Sequence, residues 1–177
     1  KIKEVYHYYQ FITYIHDRGG SFVYPSSSYG DLFSRKEVLD AWKKTINLIN
    51  SYIVTTKFNI YVNIPFCQCN CFYCMSFSLK LKKTEEVLSN YLKLIYEEMD
   101  VFSSVLKDVQ VGVVYFGGGT PSLLTEKTIE DLFSNLRRKF RINEHTKIIF
   151  EASPFTLNHG KLDLLKSMNV TELDFGI

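Results

Sequence analysis

Apolar residues recur along the chain in two rhythms, and the change between them divides it. Over residues 34–50, SRKEVLDAWKKTINLIN, Val38, Leu39, Trp42, Ile46 and Ile49 fall at helical spacing, which gathers them into one apolar stripe. Ser34, with Glu37 three positions on, forms a capping box in which each side chain can satisfy a backbone N–H that the first turn leaves over. Upstream, YHYYQFITYI (6–15) is compatible with another helix, and GGSFVYPSSSYG (19–30) is crowded with turn formers and reads as a loop or extended arm. The aromatic residues here are most simply packing.

From residue 58 the pattern becomes strand then helix. NIYVNIP (59–65) reads as a strand, followed by a cysteine loop, a long helix within 85–106 and the strand VGVVYF (111–116). A glycine loop, a helix over about 126–140, the strand TKIIFEA (146–152), a short helix LNHGKLDLLKSM (157–168) and a strand VTELDFGI (170–177) complete the series. Such alternation predicts right-handed parallel βαβ units, in an α/β fold that either opens as a doubly wound sheet or curls into a barrel. A complete eight-stranded barrel takes about 250 residues. The expectation is therefore a partial parallel (β/α) barrel over residues 58–177, a fragment of the full one, preceded by a mostly helical extension over 1–57.

Composition narrows the partners. The chain has 177 residues and is 46% hydrophobic, enough for a substantial core. With 21 basic and 19 acidic residues, its charge makes no case for nucleic acid or an anionic membrane. No run approaches the roughly 18 apolar residues of a membrane span. The start KIKEVYHYYQF lacks the order of a signal peptide, so a cytoplasmic location is expected.

All four cysteines fall between Cys67 and Cys74, directly after a strand. Cys67, Cys71 and Cys74 make a C-x3-C-x2-C pattern, with Cys69 as an extra thiol. The loop leaves the C-terminal end of a strand, the edge at which parallel folds place their chemistry. A disulfide framework staples distant segments, which cysteines crowded into one loop cannot do. A structural zinc site usually closes with four ligands, and His7, His16, His145 and His159 form no zinc-spacing pair. Three thiolates can instead hold an iron-sulfur centre and leave one iron open.

YVNIPFCQCNCFYC, followed one strand-helix-strand step later by VVYFGGGTPSLL and then by IIFEASP, resembles the radical S-adenosylmethionine superfamily. More narrowly, it looks like the oxygen-independent coproporphyrinogen III oxidase-like branch, which also includes heme chaperones, methyltransferases and cyclopropane-forming enzymes. The resemblance runs from about residue 58 to residue 177.

The resemblance implies a 4Fe-4S cluster on Cys67, Cys71 and Cys74 that binds S-adenosylmethionine at its unique iron. One electron then splits the sulfonium to methionine and a 5'-deoxyadenosyl radical, which takes hydrogen from the substrate. In the family the glycine loop, here Gly117, Gly118 and Gly119 with Thr120, meets the methionine amino group. In members that bind a second S-adenosylmethionine, it meets that molecule as well. Glu151, at the end of its strand, matches a position that contacts the cofactor, as does Tyr61, although an aromatic on a core strand is equally a packing residue. Tyr73 matches an aromatic beside the adenine, with a simple cap over the cluster as the alternative. Further implied partners are a small-molecule substrate such as a tetrapyrrole and an electron donor such as flavodoxin or ferredoxin.

Two departures bear on the substrate. Coproporphyrinogen oxidases proper carry a histidine where this chain has Asn63, and a further cysteine where it has Ser76. Three readings follow: an enzyme of this branch acting on a tetrapyrrole or another small substrate, a heme-binding chaperone of the same architecture, and a structural zinc or cluster module for interaction. The sequence also ends before the position that marks a second cofactor site in the family.

Overall fold

The computed structural model describes residues 34–51, 57–68, 71, 72, 74, 79–80 and 85–176. The segments 6–15 and 19–30, with Cys69, Tyr73, Ser76 and Ile177, lie outside the described residues.

Four strands, β1 (Phe58–Ile64), β4 (Val111–Gly118), β5 (Lys147–Ala152) and β6 (Glu172–Phe175), pair in parallel in the order β1-β4-β5-β6. Between them β2 (Phe66–Cys67) and β3 (Leu79–Lys80) make a separate parallel pair. The helices are α1 (Arg35–Ser51), α2 (Glu85–Leu106), α3 (Glu126–Lys139) and α4 (His159–Ser167). In the main sheet spatial order follows chain order, so every crossover steps in the same direction. That is the winding of a (β/α) barrel, and among the described residues there is no strand-order reversal of the kind a doubly wound sheet has. Among the described residues, no helix is long and apolar enough to cross a membrane.

Period-two alternation fixes which face is covered. Phe58, Ile60, Val62 and Ile64 are buried, and their partners across the sheet, Val114, Phe116, Ile148 and Phe150, join the same core as helix residues such as Met99, Leu132 and Phe133. Tyr61, Asn63, Tyr115, Ile149 and Glu151 alternate with these buried residues and are only half-buried. The polar groups of the strands are thereby collected on the face that the core does not use.

Local chemistry starts and stops the helices. Ser34 and Glu37 form the expected capping box, with Ser34 N–H donating to Glu37 Oε2 at 2.6 Å and Glu37 N–H to Ser34 Oγ at 3.3 Å. Thr125 and Asn158 cap α3 and α4 by accepting from Thr128 N–H and Lys161 N–H. Beyond α4, Asn169 takes the left-handed conformation, φ 59°, and lets the chain turn into β6. Helix α1, within the predicted extension, lays Trp42 and Ile46 against the barrel core, and Trp42 meets Phe102 edge-on at 6.4 Å.

Three local features differ from the sequence reading. The first is the short β2–β3 pair, which brings residues 79–80 alongside the first cysteine; two-residue strands leave no detectable periodicity. Next, Gly117 and Gly118 are the last residues of β4, paired with Asn63 and Ile64, so the glycine loop begins inside the strand. Finally, residues 121–123 make a 3-10 turn before α3.

Candidate active site

Strand β1 ends at Ile64, and the chain passes through Pro65 and Phe66 into the cysteine segment. The segment after β4 is stitched to it: Gly119 N–H donates to Ile64 O at 2.8 Å, and Thr120 N–H donates to Phe66 O at 2.8 Å. Thr120 Oγ1 also lies 3.5 Å from Cys67 Sγ. Gly119 is required by this closeness. A Cβ there would stand 2.6 Å from Phe66 O and 2.9 Å from Ile64 O, both backbone atoms that cannot swing aside. The GGGT segment and the first cysteine are thus one hydrogen-bonded unit.

The second unit centres on Glu151. Its Oε1 accepts the Tyr115 hydroxyl at 2.7 Å, and its Oε2 accepts Gly118 N–H at 3.0 Å. Gly118 has φ 107°, and a side chain there would collide with the amide of Asn63. A Cβ on Gly117 would meet Tyr115 Cε1 at 2.7 Å and both Glu151 Cδ and Tyr61 Oη at 2.9 Å. Tyr61 stacks on Tyr115 with ring centroids 5.5 Å apart. Burial pushes the Glu151 carboxyl above the usual range, and the negative charge of Asp174 adds to this. The hydrogen bonds from Tyr115 and Gly118 act in the opposite direction. The Tyr115 hydroxyl is itself driven well above an ordinary phenol, first by burial and then by its two carboxylate neighbours.

A third set of contacts fixes the loop after β5. Lys161 Nζ donates to Ser122 O at 2.7 Å and to Thr156 O at 2.9 Å, and Ser153 N–H donates to Ser122 Oγ at 3.0 Å. The turn after the glycines is therefore pinned to the segment that follows Glu151.

The structure brings Tyr61, Gly118 and Glu151 together, and joins Gly119 and Thr120 to Cys67. Cys67 is buried, whereas Cys71 and Cys74 are exposed and linked by Cys74 N–H donating to Cys71 O at 3.1 Å. None of these three is in a disulfide. Among the described residues, no three His, Cys, Asp or Glu side chains converge on a single-ion site. The donor set itself fits an iron-sulfur centre: reduced thiols on one loop, beside glycine backbone that a ligand can approach closely. Tyr115 and Asp174 were not singled out in the sequence. The available signal was a tyrosine inside the otherwise apolar strand VVYF and an aspartate between the two apolar residues of ELDF.

Glu151 yields a prediction with a definite sign. A carboxyl whose folded pKa is raised contributes stability below its unfolded pKa, and that contribution is lost as pH rises through the folded pKa. E151Q removes the charge and keeps the bonds satisfiable, since a glutamine can accept from Gly118 N–H and donate to the Tyr115 oxygen. The variant is expected to melt at or above the parent temperature at neutral pH, with the difference vanishing in acid. A lower melting point at pH 7 that persists in acid would contradict this.

The chain is 25% identical over 119 residues to the heme chaperone HemW of Buchnera aphidicola subsp. Schizaphis graminum, a match covering 67% of this chain and 31% of that protein. It is 30% identical over 126 residues to the oxygen-independent coproporphyrinogen-III oxidase-like protein HemZ of Bacillus subtilis, covering 69% and 25%. To the oxygen-independent coproporphyrinogen III oxidase of Salmonella typhimurium it is 28% identical over 119 residues, covering 67% and 26%. The chain thus spans a third or less of the length of these relatives. The solved structure of coproporphyrinogen III oxidase from Escherichia coli, described as a radical SAM enzyme, superposes with a TM-score of 0.72 at 21% identity. That superposition covers 100% of this chain and 36% of that one, and it establishes the shared barrel fold. The Radical SAM superfamily model matches residues 61–177, taking in the cysteine segment, the glycine segment and Glu151 alike, and the chain belongs to that superfamily.

Proposed function

We propose that this chain provides the cofactor-cleaving part of an oxygen-independent coproporphyrinogen III oxidase-like radical S-adenosylmethionine enzyme acting on a tetrapyrrole or a related small molecule. The observation that carries the reading is the joining of three motifs at one sheet edge: Gly119 and Thr120 bonded to the backbone before Cys67, and Gly118 bonded to Glu151. Cys67, Cys71 and Cys74 would hold a 4Fe-4S cluster, while the Gly118–Thr120 segment, Glu151, Tyr61 and Tyr73 would hold S-adenosylmethionine. When bound, cluster and cofactor supply one-electron reductive cleavage of the sulfonium and abstraction of hydrogen from the substrate.

The chain's own residues orient and shield. Gly118 and Tyr115 each donate to a different oxygen of Glu151, which fixes the plane of its carboxylate and leaves the remaining lone pairs for donors on a ligand. Gly117 leaves room for Tyr115, Tyr61 and Glu151 to close together, and Gly119 lets the segment lie against the backbone before Cys67. The electron would come from a low-potential donor such as a flavodoxin or ferredoxin.

The test is anaerobic reconstitution with iron and sulfide, then dithionite and S-adenosylmethionine, with 5'-deoxyadenosine measured by chromatography. Its formation is the expected result. A well-formed cluster that yields none would turn the reading toward the heme chaperone, which the similarity to HemW favours and which a heme titration would reveal. Zinc in place of iron would sink both.

A further inference from the structure

The main sheet sets two carboxylates side by side, since Glu151 on β5 pairs in register with Asp174 on β6. Tyr115, one strand further over, reaches both: its hydroxyl is 2.7 Å from Glu151 Oε1 and 3.0 Å from Asp174 Oδ2. A phenol has one hydrogen to donate. With both carboxylates ionised, only one of these contacts is a hydrogen bond at any moment, and the other sets oxygen against oxygen. The shorter contact assigns the hydrogen mainly to Glu151. Stacking on Tyr61 and the bare backbone of Gly117 hold the Tyr115 ring where it can make that choice.

We propose that Tyr115 is a positioning residue for Glu151, and that Asp174 tunes how firmly Glu151 is held by competing for the same hydroxyl hydrogen. The part that concerns the cofactor rests on the function proposed above; the coupling among the three side chains does not. Tyr115 acts through Glu151 and needs no contact of its own with a ligand. On ligand affinity Asp174 acts through Tyr115, while its charge also bears on the Glu151 carboxyl directly. This order gives the substitutions opposite signs, which a merely structural role would not.

The test has two arms on the protein reconstituted with its cluster. In the first, Glu151 is followed by carbon-13 carboxyl titration before any cofactor is added. Y115F, which removes a bond that favours the charged carboxylate, is expected to raise the Glu151 pKa, and D174N, which removes a neighbouring charge, to lower it. In the second, S-adenosylmethionine affinity is measured by equilibrium dialysis. Y115F is expected to bind about tenfold more weakly, as the loss of one hydrogen bond to a charged group implies. D174N is expected to bind at least as tightly as the parent, because an asparagine amide can donate to the phenol oxygen and release its hydrogen to Glu151. The Y115F/D174N double variant should match Y115F alone. An unmoved Glu151 titration in Y115F overturns the coupling. Unchanged affinity in Y115F, or additive losses from the two substitutions, overturns the positioning role. If the parent protein binds no S-adenosylmethionine, the proposed function falls, and the carboxyl titration still decides the coupling.

Discussion

Cys71→Ala is expected to abolish both the iron-sulfur absorption and all 5'-deoxyadenosine formation, while moving the melting temperature of the cluster-free protein by about 2 °C at most. The two effects separate because of where Cys71 sits. Its side chain is exposed on the segment after β2 and is absent from the hydrophobic core, so losing its sulfur leaves the packing untouched. Its backbone carbonyl still accepts from Cys74 N–H. Three thiolates are the only protein ligands proposed for the cluster, and removal of one leaves two, which is too few to hold it. Cys69→Ala is the matched control, one thiol fewer in the same loop but outside the C-x3-C-x2-C pattern, and it is expected to keep cluster and product. Iron and sulfide analysis reads the first effect and chromatography the second. A cluster retained in Cys71→Ala, or lost equally in Cys69→Ala, would require a different ligand set.

The other large effect concerns the core beneath the site. Phe116→Ala is expected to cost about 3–5 kcal/mol of unfolding free energy. Phe116 is fully buried, stacked on Phe133 with centroids 4.8 Å apart and set against Phe150 at 5.4 Å, so it joins β4 to helix α3 and to β5. Removing the ring leaves a cavity bordered by regular strands and a helix, which cannot collapse to fill it. A loss of this size is a large part of the roughly 5–15 kcal/mol that stabilises a typical domain. Phe116 also immediately precedes Gly117, so a sagging strand would carry the glycine segment with it. Urea unfolding should show a lower midpoint with an unchanged slope, and Phe116→Leu should lose far less. A midpoint shift worth under about 1 kcal/mol would mean that the site can close over the gap.

Much of this molecule was legible in its sequence, for reasons that can be given residue by residue. The helix over 85–106, the capping box at Ser34 and Glu37, and the buried alternation Phe58, Ile60, Val62, Ile64 are written in neighbouring residues. Backbone periodicity and capping depend only on such neighbours. The cysteine spacing, GGGTP and the strand-end Glu151 were equally readable, because each is a short contiguous pattern.

What the sequence could not supply depends on register between distant strands. The contacts of Tyr115 with Glu151 and Asp174 span 36 and 59 residues. A one-residue slip of β5 or β6 would turn either carboxylate to the opposite face. The sheet order β1-β4-β5-β6, which separates barrel from doubly wound sheet, is likewise invisible to local pattern, since both arrangements use the same strand-helix alternation. By itself the sequence determined the four main strands, the helices between them and the spacing of the cysteines. Only the tertiary structure decided that Gly118 and Tyr115 share one carboxylate, and that Asp174 contends for the same hydrogen, because hydrogen bonds between strands exist only once the sheet has fixed their register.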